Sequence, residues 1–369
     1  MTIELNVFTY DFERVGTIEN YISLSIERNY YARSVMQLVV EGNSEMVELL
    51  QKHRVITTST NINYGYLITN FDYVDDGTEQ LTIYAFSLNY LFDWRTIGKQ
   101  ERYSGAIETV LKKFIDKNCI TTASNRVIPR LSLLGNSGIL GTTDSTVTGT
   151  NLEEFAWTYC ETHEMTVDVL MNHEIKRYEV YTWQGEDKSE LATTNAIKFS
   201  KEFENVANVE FVRDESEYRT TAYVAGEGEG NDRQVVVVND VFSGLNRKEI
   251  FVDARDIQST YVDENSVEVT VTPTEYAQML TDRGQQELAD KTVIETFEGE
   301  VIDTQFRYGV DYSLGDIVSF RSERLNRVLH TRVTSSTITV DGNKKVTLKI
   351  SFGNKIPTLL DKIKKAVSK

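Results

Sequence analysis

The chain has 369 residues, 40% of them hydrophobic, with 19 Tyr, 16 Phe, only 3 Pro and a net charge of −17. That length predicts two to four domains, each with its own core, and the composition excludes a disordered chain. The acidity excludes a general grip on nucleic acid, which needs clustered Lys and Arg.

In chain order, residues 1–41 alternate strand-like runs, and "SEMVELLQKH" reads as a short helix. Three more strands follow in 54–87, with Asp75–Gly77 as a hairpin turn between two of them. Six or so antiparallel strands in this stretch predict a small barrel or sandwich. From about residue 97 the period changes. Ser104 is the expected cap of a helix with Ile107, Val110, Leu111, Phe114 and Ile115 on one face. Asn151 is the expected cap of a second helix, with Glu154 three residues on. "LSLLGNSGILGTTDSTVTGTN" between them reads as a Gly/Thr loop, and "MTVDVLM" and "RYEVYTW" as strands. Strands return from residue 196 and are interrupted by one helix, which Thr272, Pro273 and Glu275 start with a capping box. Residues 356–369 are expected to form a basic amphipathic helix, either a solvated end or a docking handle.

One internal echo stands out. "RVITTSTNINYGYLIT…YVDDGTEQLTIYAF" within 54–86 and "DIVSFRSERLNRVLHTRV…TVDGNKKVTLKISF" within 316–352 share the order strand, polar turn, strand, strand, VD-turn with Gly, alternating strand. Short β segments match by chance often, so the echo alone leaves duplication open.

No motif announces catalysis. The stretch "YVAGEGEGNDR" spaces its glycines G-x-G-x-G, is followed by a strand pattern and carries Glu227 and Glu229, which repel phosphate. Its glycines fit a turn or a close backbone approach. His163 and His173 are ten residues apart, not the spacing of a shared zinc site. Cys160 and His163 share a helix face, but a late helical position raises a thiol's pKa. A packed core cysteine is the plainer reading. The acidic pairs Asp75–Asp76, Glu153–Glu154 and Asp214–Glu215 fall at turns and helix starts. Trp94, Trp157 and Trp183 lie in apolar-patterned segments and are expected in the core, not on carbohydrate-binding loops. Two cysteines without a CxxC fit a reducing compartment. Neither a secretion signal nor an apolar run of membrane-spanning length is evident.

Three segments resemble the tail-hub (baseplate hub) family of long-tailed phages. They are "GEDK", with Gly185 and Asp187; the acidic glycine stretch with Gly226, Gly228, Gly230 and Arg233; and "RKEIFVDARD", with Arg247, Glu249, Asp253, Arg255 and Asp256. "YAFSLNYLFDWRT" also looks like that family's end of the first barrel. The resemblance implies an α+β, mainly β fold: two related antiparallel β-barrels with two smaller α+β domains inserted or appended. The implied boundaries are 1–96 for the first barrel, 97–195 for an α+β domain and 196–225 plus 300–355 for the second barrel. An appended α+β domain covers 226–299, and the basic helix 356–369. The implied function is structural, with no enzyme activity, cofactor, catalytic residue or metal. Three copies form a ring in the virion tail tip, made in the host cytoplasm. The ring joins a hexameric distal tail protein to distal receptor-binding or lysin proteins, and DNA and the tape-measure protein pass through it. The alternatives are a tail-borne cell-wall hydrolase and a receptor- or carbohydrate-binding module.

Overall fold

The structure, a computed structural model, describes residues 3–262, 268–302 and 305–353. The expected helix at 356–369 lies outside the described residues. Most of the strands belong to one 16-stranded sheet, and four separate apolar clusters are buried along the chain.

The first half supplies the strands Leu5–Phe8, Arg14–Ile18, Ser23–Asn29, Val35–Glu41, Val55–Thr58, Asn61–Asp75 and Glu79–Ser87, with helix α1 at Ser44–Leu49. The alternation of Ser23–Asn29 and Val35–Glu41 puts Leu24, Ile26, Met36, Leu38 and Val40 on one buried face, as period-two patterning requires. The hairpin at Asp75–Glu79 forms as expected, with Gly77 at φ 102°.

The helical segment follows. Helix α2 spans Ile107–Ile115 and buries the expected face, but Ala106 occupies its cap. Ser104 lies instead in the strand Glu101–Ala106, opposite Asp144. The supposed Gly/Thr loop contains that partner strand, Thr142–Val147, and a short strand Leu131–Leu133 running parallel to Arg177–Trp183. Helix α3, Leu152–Thr162, is capped by Asn151, whose Oδ1 accepts the Glu153 and Glu154 N–H groups. Trp94 departs from expectation: it is 41% exposed, while Trp157 and Trp183 are partly buried.

The second half repeats the first. In the first, the strands Val55–Thr58, Asn61–Asp75, Glu79–Ser87, Val35–Glu41 and Ser23–Asn29 lie side by side in that order. In the second, Ile317–Ser322, Arg327–Val340, Val346–Gly353, Ile294–Val301 and Val206–Asp214 do the same. The registers coincide: Val55 opposes Leu67 as Ile317 opposes Arg332, and Ile68 opposes Ala85 as Val333 opposes Phe352. Both long strands bulge one residue later, at Thr69 and Thr334; the Thr69 hydroxyl reaches Tyr84 O at 3.1 Å, whereas the Thr334 hydroxyl donates to Gly353 O. Ile68 N–H bonds Arg54 O at 2.8 Å and Val333 N–H bonds Asp316 O at 2.8 Å. The residue before each acceptor, His53 (φ 68°) or Gly315 (φ 87°), is left-handed. So many matched irregularities go beyond what two meanders share by accident.

Residues 30–34 turn the first half's strand Ser23–Asn29 back into Val35–Glu41. At the equivalent place in the second half, residues 215–293 are inserted. They form a three-stranded sheet, Val235–Val238, Thr221–Ala225 and Glu249–Asp253, under helix α4, Pro273–Ala289, with its Thr272–Glu275 capping box. Two strands therefore cross the expected boundaries. Thr221–Ala225 belongs with the inserted sheet, and Ile294–Val301 with the second half. The strand path is open, and no strand pairing among the described residues closes either half into a ring.

Candidate functional site

The two halves meet edge to edge. The strand Ser23–Asn29 pairs with Ser335–Val340, placing Leu24 opposite Val340 and Ile26 opposite Ile338. Val340 is fully buried in the first half's core although it comes from the second. At the end of this joint Tyr30, also fully buried, gathers three parts of the chain. Its ring meets Trp183 at 5.1 Å and carries the Arg332 guanidinium at 5.2 Å. Its hydroxyl donates to Glu164 O and accepts the Gly185 N–H.

The first family segment sits here. A Cβ on Gly185 would lie 2.0 Å from the Gly315 carbonyl oxygen, so only glycine allows the two loops to touch. Glu186 N–H then reaches Asp316 Oδ1 at 2.9 Å, and Lys188 Nζ reaches Asp316 Oδ2 at 2.8 Å. Asp316 is almost completely buried, and its hydrogen-bonded cation is what makes that burial tolerable.

The other two segments converge about the inserted sheet. Gly226 lies against helix α4, where a Cβ would meet the Tyr276 hydroxyl at 2.4 Å. That hydroxyl accepts the Glu227 N–H and donates to Ile257 O. Gly228 and Gly230 turn with positive φ. Arg233 reaches back to the carbonyls of Ala225 and Gly226, both at 2.7 Å, and pairs with Asp253. Arg255 also pairs with Asp253. Arg255 first, and Arg233 with it, hold the Asp253 carboxyl well below the usual carboxylate range. Arg247 joins Glu249, Asp240 and the Tyr223 hydroxyl, and Asp256 pairs with Arg283 of α4. Every one of these cations is spent on a partner within the inserted unit. The network fastens strand ends to a helix, and the two glycine-bearing sites serve close packing.

Chemistry elsewhere is equally structural. Cys119 and Cys160 are buried free thiols; burial pushes Cys119 up to about 12 and Cys160 higher still. His163 caps the C-terminus of α3 against the Tyr159 ring at 4.4 Å, and burial lowers its pKa. No cluster of three or more metal-ligating side chains occurs among the described residues. No described helix is long and apolar enough to cross a membrane. The joint was not readable in advance, because its two strands are some three hundred residues apart and no local pattern links them.

Comparison with known proteins supplies the context. The family described as "Siphovirus ReqiPepy6 Gp37-like protein" matches residues 4–354. The chain belongs to that family. The Gp37-like chain also shares its fold with solved structures of tail proteins. A prophage tail protein, gp18, of Listeria monocytogenes EGD-e aligns at TM-score 0.54 and 11% identity, over 99% of this chain and 98% of its own. A tail protein of Neisseria meningitidis MC58 gives 0.55 and 12% over 96% and 97%. The 43 kDa tail protein of prophage MuSo2 from Shewanella oneidensis gives 0.55 and 10% over 95% and 98%. At such identities the likeness is one of fold. No curated protein matches the Gp37-like chain.

Proposed function

We propose that this Gp37-like protein is a structural hub of a phage or prophage tail tip. Three copies form a ring between the tail tube and the distal tip proteins, and DNA and the tape-measure protein pass through its channel. One observation carries the reading: a single chain is built of two equivalent β units joined edge to edge. Three such chains present six units to a hexameric tail protein, so one symmetry passes to the other without a gap. The family and the full-length likeness to tail proteins support the setting. The net charge of −17 suits a channel wall along which DNA moves without adhering.

A hydrolase reading draws no support from the Cys160–His163 pair, since the thiol is fully buried and its burial disfavours the thiolate. The test is absolute mass by light scattering over a concentration series, alone and with the hexameric tail protein. A mass near three 42.1 kDa chains, about 126 kDa, upholds the ring. A strict monomer under both conditions refutes it.

A further inference from the structure

We infer that residues 356–369 pack as a helix across the open face of the inserted sheet, on the side away from α4. The inference does not depend on the proposed ring.

Helix α4 covers one face of that sheet. Ala222, Val224, Val236, Val238, Ile250 and Val252 join the core on this side with Tyr276, Met279 and Leu280 of α4. Strand alternation turns Tyr223, Val235, Val237 and Phe251 the other way. The registers set Val237, Tyr223 and Phe251 side by side in one row across the three strands. Phe251 is 61% exposed and Val235 48%, so this face is open. Arg247 fastens the loop 239–247 beside it, donating to Phe242 O and the Tyr223 hydroxyl. That loop holds Val241 at 87% exposure and Leu245 at 97%. So many large apolar side chains on one small unit mark a docking surface.

Charge, shape and position identify the occupant. Residues 215–293 contain sixteen Asp and Glu against seven Lys and Arg, and Arg233, Arg247 and Arg255 are already paired. Asp240 and Glu249, at the rim of the face, keep half or more of their side chains in solvent. The matching surface is apolar with a basic border. Residues 355–369 have five Lys against one Asp, and their sequence spaces Leu359, Leu360, Ile363 and Val367 on one helical face. Three strands about 4.8 Å apart offer a face roughly 10 Å wide, the width of one helix. Gly353 pairs with Thr296, in the strand that leaves the inserted unit, so the segment starts at the root of that unit. Lys291 O accepts the Arg219 N–H at this root, and Lys248 O accepts the Thr221 N–H just above it. The path from Thr296 to Lys291 and from Arg219 to Tyr223 amounts to about 30 Å of straight strand. Residues 354–358 extended supply about 17 Å, and residues 359–369 as a helix about 16 Å more. The apolar positions of the segment therefore come to lie over the loop 239–247 and the row of Tyr223.

Two readings on the full chain test this. Carbodiimide joins an amine to a carboxylate only where the two touch; it is applied to an equal mixture of isotope-labelled and unlabelled protein, and the linked peptides are mapped. Hydroxyl-radical footprinting then compares oxidation of Leu245 and Phe251 in the parent and in a variant carrying Leu360→Asp and Ile363→Asp. Both substitutions lie outside the four described cores, and unchanged oxidation of Trp94 checks that the fold is intact. The expected result is coupling of Lys362, Lys364 or Lys365 to Asp240 or Glu249 within one chain, and oxidation of Leu245 and Phe251 about fivefold faster in the variant. Only both results together uphold the packing. Absence of coupling within a chain, or equal oxidation in parent and variant, overturns it. Couplings that join labelled to unlabelled chains also overturn it and assign the face to a second copy.

Discussion

Gly315→Ala separates the backbone that the two halves share from the packing that they do not. Gly315 and His53 occupy the same place before equivalent strands, at φ 87° and 68°. A non-glycine residue in that conformation costs about 1–2 kcal/mol. At Gly315 a Cβ would also lie 2.4 Å from the Tyr30 ring and 2.9 Å from Trp183, and such overpacking adds about 1–3 kcal/mol. The expected loss is therefore roughly 2–5 kcal/mol. His53 is exposed, with only an edge contact to Trp94 at 5.9 Å. His53→Gly relieves the left-handed strain but gives the unfolded chain more freedom, worth about 0.5–1 kcal/mol, so its net effect stays near zero. Urea unfolding followed by tryptophan fluorescence measures both, with Trp183 beside the altered site. A Gly315→Ala protein within about 0.5 kcal/mol of the parent would refute the reasoning, since that is the scale of an inconsequential surface change.

Other expectations follow from the same contacts. Arg233→Ala frees the carbonyls of Ala225 and Gly226; a loss of about 1–3 kcal/mol is expected. Hydrogen exchange should quicken in Thr221–Ala225 and Val235–Val238 and stay unchanged in Asn61–Asp75, and Arg233→Lys should not restore protection. Glu108, buried in α2, accepts the N–H groups of Ser137, Gly138 and Ile139 and the Thr182 hydroxyl, and stands 3.9 Å from buried Lys112. Glu108→Ala removes the counter-charge of that lysine, which keeps only the neutral acceptors Gly135 O and Asn136 Oδ1, and should cost about 3–5 kcal/mol, with faster exchange at the three amides. Burial pushes the Glu108 carboxyl up, but these donors outweigh it and leave the pKa lowered. Its contribution is thus present above the ordinary carboxylate pKa and lost as pH falls through the folded value, so Glu108→Ala should flatten the acid limb of the stability profile. A thiol reagent at neutral pH should leave Cys119 and Cys160 untouched in the native protein and modify both in urea. Fast native labelling would contradict their burial.

Local signals in the sequence identified what local physics determines. The Thr272–Glu275 box, the Asn151 cap and the Asp75–Gly77 hairpin each lie within a few residues of the element that they start or turn. The echo was visible as a strand order. Its strength lies in the matched bulges at Thr69 and Thr334, which one-dimensional patterning does not record. Ser104 was misplaced because a serine three residues before an apolar run has the same chemistry whether it caps a helix or lies in the preceding strand. Gly185 was noticed, but its contact with Gly315 depends on a loop more than a hundred residues away. The family segments were legible as text; their division between the joint and the inserted sheet was not.

The most direct test of the hub is electron cryo-microscopy of the assembled protein viewed along its axis. The account predicts six β lobes around an open channel, alternating between first and second halves, with an extra density beside every second lobe for the inserted unit. A compact particle without a channel, or lobes not alternating in this way, would contradict it.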